Sequence, residues 1–268
     1  MASRAVLAAR RLLDEFGLDD VIDIDIQDLV YARGIIYREA PLDNCEGRIV
    51  FGERGSAIIT INSETHYVPR KRFSIAHELG HYELGHRAQI HYDNAASLDY
   101  IKVGIEAEAN EFASELLIPT NLFMTEVEGK VFSPNLIQSL SEHFGTSISS
   151  VLYKYVEYGP HPIAVIYSYN GRVKFYKKSS KMRRRMIDLT NLPVPCNSVT
   201  EEWYNDQIQY SSDDIQEIDL NVWFDCGNNW SYETENRYKK SGGYEHCYVS
   251  ELFNTVLTVV WEGYCNYK

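Results

Sequence analysis

The spacing of apolar positions divides this chain into a helical first part and a strand-rich second part. Val6, Ala9, Leu13 and Phe16 recur at intervals of three and four, the period of a helix with one buried face. Gly17 follows where a helix end favours positive φ. A short helix is expected over residues 26–32. Residues 48–51 and 57–61 are β-rich runs on either side of Gly52-Glu53-Arg54-Gly55, the pattern of a hairpin. Helices are predicted over residues 70–85, after Pro69, and over 105–118, stopped by Pro119. Residues 134–143 and 148–158 read as a helical pair interrupted by Gly145-Thr146-Ser147.

Beyond Gly159-Pro160-His161-Pro162 the period changes. Residues 163–169, 172–176 and 255–261 are strand-like, and Asn170-Gly171 is a strong two-residue turn between the first two. The fold class is therefore α+β: a mainly helical domain with a small sheet over residues 1–160, including the helical pair, then a β-rich domain over 161–268. A chain of 268 residues has room for two cores.

Composition narrows the function classes. With 44 % apolar and 24 % charged residues the chain is an ordinary globular one. No apolar run approaches a bilayer-spanning length, and the first twenty residues carry Arg4, Arg10, Arg11, Asp14 and Glu15 in place of a secretory apolar core. A cytoplasmic location with no membrane contact is expected. The net charge of −12 argues against a protein built to grip phosphates. The second helix of the pair offers only Lys154 as a base, beside Glu157, which is poor chemistry for a major groove. A basic run from Lys174 to Arg185 precedes a stretch with ten acidic residues between Glu201 and Glu235, so pairing within the chain is expected and direct nucleic-acid binding is not. The five cysteines lack paired spacing and read as reduced, packed thiols.

The candidate chemistry lies in His77-Glu78-Leu79-Gly80-His81. On a helix the i, i+4 spacing stacks both imidazoles on one face, where two ring nitrogens can meet one metal ion. Glu78, about 100° further round, suits a general base that flanks the site without ligating. Within residues 105–118, Ile105, Ala109, Phe112 and Leu116 form a core stripe, and an adjacent stripe runs Glu106, Asn110, Ala113, Leu117. Glu106 is the expected third ligand, giving a His₂Glu set for Zn²⁺, with Asn110 orienting a ligand. Glu108 lies about 200° from Glu106 and cannot share that face; with Glu111 and Glu115 it reads as a solvated acidic surface. A His₃ set fails because Leu84 and Arg87 stand where Gly and His are required. His86 reads as a helix-end residue that supports a ligand; His86, His91, Tyr82 and Tyr92 are the candidate oxyanion donors. Gly80, unfavourable inside a helix, implies close approach of another element. The strand at 57–61 is a candidate edge on which an extended substrate would add.

Residues 72–81, Arg-Phe-Ser-Ile-Ala-His-Glu-Leu-Gly-His, followed by Glu106-x-x-x-Asn110-x-Phe112-Ala113-x-x-Leu116-Leu117-Ile118-Pro119, resemble the ImmA/IrrE family of metallopeptidases over residues 1–160. The resemblance implies a zincin-like catalytic domain, ligands at His77, His81 and Glu106, a catalytic glutamate at Glu78, and limited cleavage of a protein substrate, a helix-turn-helix transcriptional repressor. The competing reading is a DNA-binding or metal-sensing regulator with a non-catalytic zinc site. Residues 161–268 carry no motif with a histidine pair. Their Trp203, Trp223, Trp230 and Trp261 and many tyrosines suit either a core or a recognition surface, so a recognition or regulatory role is expected.

Overall fold

The computed structural model describes residues 2–22, 24–52, 55–86, 104–225 and 242–263. Contacts group the chain into two compact units: Met1–Glu126 with Leu140–Val151, and Val127–Ser139 with Leu152–Lys268. The expected division at residue 160 falls inside the second unit, between a helix and its first strand.

In the first unit, helix α1 (Arg4–Glu15) starts where the Ser3 hydroxyl accepts from the Val6 amide and ends before Gly17, at φ 64°. Its buried face is Ala5, Ala9, Leu12 and Leu13; of the expected stripe Ala9 and Leu13 are buried, Val6 is partly covered, and Phe16 is exposed under the Arg33 guanidinium. Helix α2 (Ile26–Ala32) is capped by Asp25. Three strands follow, β1 (Ile36–Ala40), β2 (Gly47–Phe51) and β3 (Ala57–Asn62), in the order β1-β3-β2. β2 and β3 form the predicted hairpin. β1 joins parallel to β3 on its other side, which the sequence did not announce. β3 is thus the central strand with both edges occupied, so the expectation that residues 57–61 offer an edge to a substrate is overturned.

Helix α3 (Val68–Glu83) lies on β2 and β3, helix α4 (Ile105–Leu117) packs on α3, and α1 packs on α4. Gly80 is where α3 and α4 meet: a Cβ there would stand 3.0 Å from the Phe112 ring and 3.3 Å from the Ala109 carbonyl oxygen. Of the acids of α4 expected to be solvated, Glu111 is exposed, Glu108 is partly covered and Glu115 is buried. Ser3 donates to Glu111 at 2.6 Å, and Arg4 reaches Glu108 at 3.5 Å. Glu115 accepts from Arg10 at 2.8 Å, and from the hydroxyl and amide of Thr120 at 2.5 and 3.3 Å, at the start of helix α5 (Thr120–Val127). The reason for the difference at Glu108 and Glu115 is α1, whose polar flank covers the face that looks free when α4 is considered alone.

Helices α6 (Pro134–His143) and α7 (Ile148–Tyr158) occupy the predicted positions. In the second unit, β4 (Ile163–Tyr169) and β5 (Arg172–Lys178) turn at Asn170 and Gly171, with φ 50° and 70°. A two-stranded piece, β6 (Arg185–Met186) with β8 (Phe224–Asp225), flanks helix α8 (Val199–Asp206) and strand β7 (Gln216–Ile218) in sequence. β9 (Gly243–Ser250) and β10 (Thr255–Glu262) complete an antiparallel sheet in the order β5-β4-β10-β9-β7. On one face Phe132 packs edge-on against Tyr155 and Trp261, and Tyr153 lies near Phe175. On the other, Trp223, Phe224, Met182 and Val173 form a core with Ile166 and Val260. Trp203, Trp223 and Trp261 are all buried, so these indoles fill the core and none forms a recognition surface; Trp230 lies outside the described residues.

The basic run makes its contacts within the chain, as expected. Arg184 pairs with Glu262 at 2.8 Å, Lys178 donates to the Met182 and Arg184 carbonyls, and Lys181 donates to that of Gly159. Glu233 and Glu235 of the acidic stretch lie outside the described residues. Cys45, Cys196 and Cys247 are not in disulfides; Cys45 and Cys247 are buried and Cys196 is exposed.

Beneath α8, Glu245 is fully buried. It accepts from the Thr200 amide and hydroxyl at 2.9 and 2.8 Å and from the Trp223 indole at 2.8 Å. Burial raises its pKa despite these donors. A carboxyl with a raised folded-state pKa stabilises the fold below its unfolded value, and loses that contribution as pH rises through the folded value. Comparing urea midpoints at pH 5 and pH 8, wild type should therefore lose stability relative to Glu245→Gln as pH rises; a constant difference would contradict the assignment. In the first unit, Glu115→Ala should cost about 1–3 kcal/mol in chemical denaturation, because it strips the α5 N-terminus of its acceptor. Glu111→Ala should stay within about 0.5 kcal/mol.

Candidate metal centre

The site is built on α3 and α4. Ile75, Ala76 and Leu79 anchor α3 in the core, and the helical period places His77 and His81 together, 1 % and 0 % exposed. Their Nε2 atoms are 3.1 Å apart. From α4, the Glu106 carboxylate approaches to 3.3 Å from His77 Nε2 and 3.6 Å from His81 Nε2. These three side chains each offer a ligand atom, all within 4.8 Å of one another, and among the described residues they are the cluster able to hold a metal ion.

Ring nitrogens settle the protonation logic. Asn110, one turn after Glu106, places Oδ1 2.9 Å from His77 Nδ1. An amide oxygen only accepts, so His77 carries its proton on Nδ1 and presents a lone pair at Nε2. His86 Nδ1 stands 3.0 Å from His81 Nδ1, and His86 Nε2 stands 3.0 Å from the Glu108 carboxylate. Two imidazole lone pairs and a carboxylate converging on one point repel one another unless a cation lies between them, and this donor set suits a borderline divalent ion.

Glu78 is 1 % exposed and belongs to a different face of α3. It abuts the start of β2, where a Cβ on Gly47 would come within 3.0 Å of Glu78 Oε1. Gly47 is thus the residue that leaves room for this carboxylate, a role the sequence analysis did not find; its signal was a glycine opening a strand. Phe73 lies near the His77 ring, at 6.3 Å between centroids.

The remaining candidates separate. Tyr82 is stacked on Phe51, with rings 6.3 Å apart and 8° from parallel. Both ring nitrogens of His86 are engaged by His81 and Glu108, which removes it as an oxyanion donor. His91 and Tyr92 lie outside the described residues. The engagement of Glu108 with His86 was also missed, because helical angle alone shows that Glu108 turns away from Glu106, not where it goes.

Residues 32–155 match the sequence profile described as the IrrE N-terminal-like domain of the peptidase M78 family. No curated protein matches the chain at a significant level. Among solved structures, a Mycobacterium tuberculosis transcriptional regulator is similar in fold, with a TM-score of 0.59 and 14 % identity, over 96 % of this chain and 75 % of that one. That likeness is one of fold alone. The profile match spans both motif blocks and the cluster they build, so residues 32–155 are a domain of the IrrE N-terminal-like, peptidase M78 kind.

Proposed function

We propose that the protein is a zinc-dependent endopeptidase, with His77, His81 and Glu106 as metal ligands and Glu78 as general base. The observation that carries this reading is the 3.1 Å approach of two imidazole Nε2 atoms beside a carboxylate, inside a metallopeptidase-family domain. When bound, zinc supplies Lewis acidity, polarising a scissile carbonyl and making water easier to deprotonate. The chain's own residues do the rest. Glu78 takes the proton from attacking water at its carboxylate and returns it to the leaving amine. Its burial against Gly47 holds it in one orientation, so little is lost to reorganisation. Asn110 fixes the His77 ring by accepting from Nδ1. An extended substrate lies along β2, the strand that begins beside Glu78, not along β3.

The substrate in this reading is a helix-turn-helix transcriptional repressor cut at a limited number of bonds, in the cytoplasm, with the β-rich part serving recognition or regulation. The match of residues 32–155 to a peptidase-family profile supports a protein substrate. No helix among the described residues is long and apolar enough to cross a membrane. DNA binding through α6 and α7 finds no support: Lys154, the base offered by the second helix, is 5 % exposed and packs over the Tyr158 ring.

The test is a set of three variants assayed for bound zinc and for cleavage of the small helix-turn-helix protein encoded nearest to this gene. Glu78→Gln should keep zinc and lose at least about 100-fold in rate, because the amide keeps the shape but cannot take a proton. His77→Ala and Glu106→Ala should lose the metal. Zinc retained in His77→Ala, or cleavage by Glu78→Gln at the wild-type rate, would refute the assignments.

A further inference from the structure

The acid expected to be a bystander stands at the end of a connected chain of groups leading to a metal-facing histidine. Helix α3 ends at Leu84, and Gly85 follows at φ 70°. The Gly85 amide donates to the Tyr82 carbonyl at 3.1 Å and the His86 amide to the His81 carbonyl at 3.0 Å. This pair of bonds is the Schellman closure, which sets the second residue past the cap against the third-last residue of the helix. That contact is ordinarily apolar. Here it joins His86 to His81, with the Nδ1 atoms 3.0 Å apart.

We propose that His86 and Glu108 are positioning residues: they fix the tautomer and ring orientation of His81 so that its Nε2 faces the metal, and Arg4 of α1 holds the pair in register. The inference rests on the metal-centre reading above and extends it to residues outside the ligand set. A carboxylate accepts only, so His86 Nε2, 3.0 Å from Glu108 Oε2, carries the proton. In the neutral ring His86 Nδ1 then accepts, and His81 Nδ1 must donate to it. The His81 proton is thereby committed away from the metal side, and the Nε2 lone pair points at the cluster with His77 and Glu106. Arg4 closes the arrangement from α1: Nη2 donates to the Leu84 carbonyl at 2.6 Å, at the cap itself, and Nη1 lies 3.5 Å from Glu108. The second contact is half-exposed and contributes little energy. Its effect is on placement.

A ligand histidine commonly donates its distal N–H to a carboxylate or a carbonyl. In this chain an imidazole is inserted between ligand and carboxylate: Glu108 meets His86, and His86 meets His81. The insertion also gives His81 a different partner type from His77, whose Nδ1 meets the Asn110 amide oxygen. The two ligand rings are thus set independently, one from α4 alone and one through the α3 cap and α1.

The full-length protein supplies the test, with two readouts. In metal-free wild type, nitrogen-detected NMR of the histidine rings should show His81 protonated on Nδ1, and this preference should be lost in His86→Ala. Zinc affinity from chelator competition should fall about 10- to 100-fold in His86→Ala and in Glu108→Ala. It should stay within about threefold in Glu108→Gln, which retains an accepting oxygen, and in Glu111→Ala, an acid of the same helix that meets Ser3. If His86→Ala does not fold, the Glu108→Ala and Glu108→Gln pair decides. A His81 protonated on Nε2 in the metal-free wild type, or a Glu108→Ala variant that binds zinc as wild type does, overturns the proposal. A wild type that binds zinc no better than His77→Ala overturns instead the metal reading on which it rests, and the NMR result separates the two failures.

Discussion

The distance between α3 and α4 at Gly80 is the constraint on which the site depends. With hydrogen in place of a side chain, the Phe112 ring and the Ala109 carbonyl can lie against the backbone of α3. Ala76, Ala109 and Ala113, all fully buried, keep the same seam narrow. Only at this separation can a carboxylate in the first turn of α4 stand 3.3 Å from an imidazole nitrogen of α3. Glycine in a helix interior costs about 1 kcal/mol relative to alanine. Here the cost is offset by packing that places three polar side chains around a common point, where widening by one methyl group would separate them. Gly47 serves the same end on the other side of α3, leaving space for Glu78.

Local patterns were legible wherever a residue's neighbours in sequence are also its neighbours in space. His77, His81 and Glu106 could be chosen from helical geometry because each stripe belongs to one helix. The turn at Asn170-Gly171 needed only its two positive φ angles. Reading failed where a third element intervenes. β1 was not anticipated since Ile-Tyr-Arg-Glu-Ala shows no clear alternation, and its pairing with β3 comes from tertiary placement. Glu108 and Glu115 looked solvated because nothing in α4 announces that α1 will lie across them. β9 was missed for a related reason: both its faces are covered, so Glu245, His246 and Cys247 are consecutive and all buried, the reverse of the alternation that marks a half-buried strand.

The N-terminal helix illustrates how far a site's support extends beyond its motif. The family profile begins at residue 32, yet Ser3, Arg4 and Arg10 each meet an acid of α4. Three polar pairs at separate points of the α1–α4 interface hold α1 in one register. Apolar burial of Ala5, Ala9, Leu12 and Leu13 supplies the adhesion, being nondirectional. The polar pairs supply the register, because charge-assisted hydrogen bonds are lost on a shift of one residue.

Among the described residues, Glu115 and Glu245 are deeply buried carboxyl groups outside the candidate metal centre, and they follow one rule. Glu115 accepts from the first amide of α5, and Glu245 accepts from the second residue of α8; both helices are eight residues long. Helices this short are marginal alone, and their unsatisfied N-terminal amides are a large share of their backbone. A carboxylate brought from a neighbouring element satisfies such amides and complements the positive end of the helix dipole. Burying the acid is costly without those donors, and forming the short helix is costly without that acceptor, so each is stable only in the presence of the other. For α5 this acceptor is encoded elsewhere, in the last turn of α4, so the helix leaves little signal in its own sequence; α8 receives Glu245 from β9 and also carries a local cap, the Ser198 hydroxyl accepting from the Glu201 amide at 3.0 Å, a signal in its own sequence that was missed.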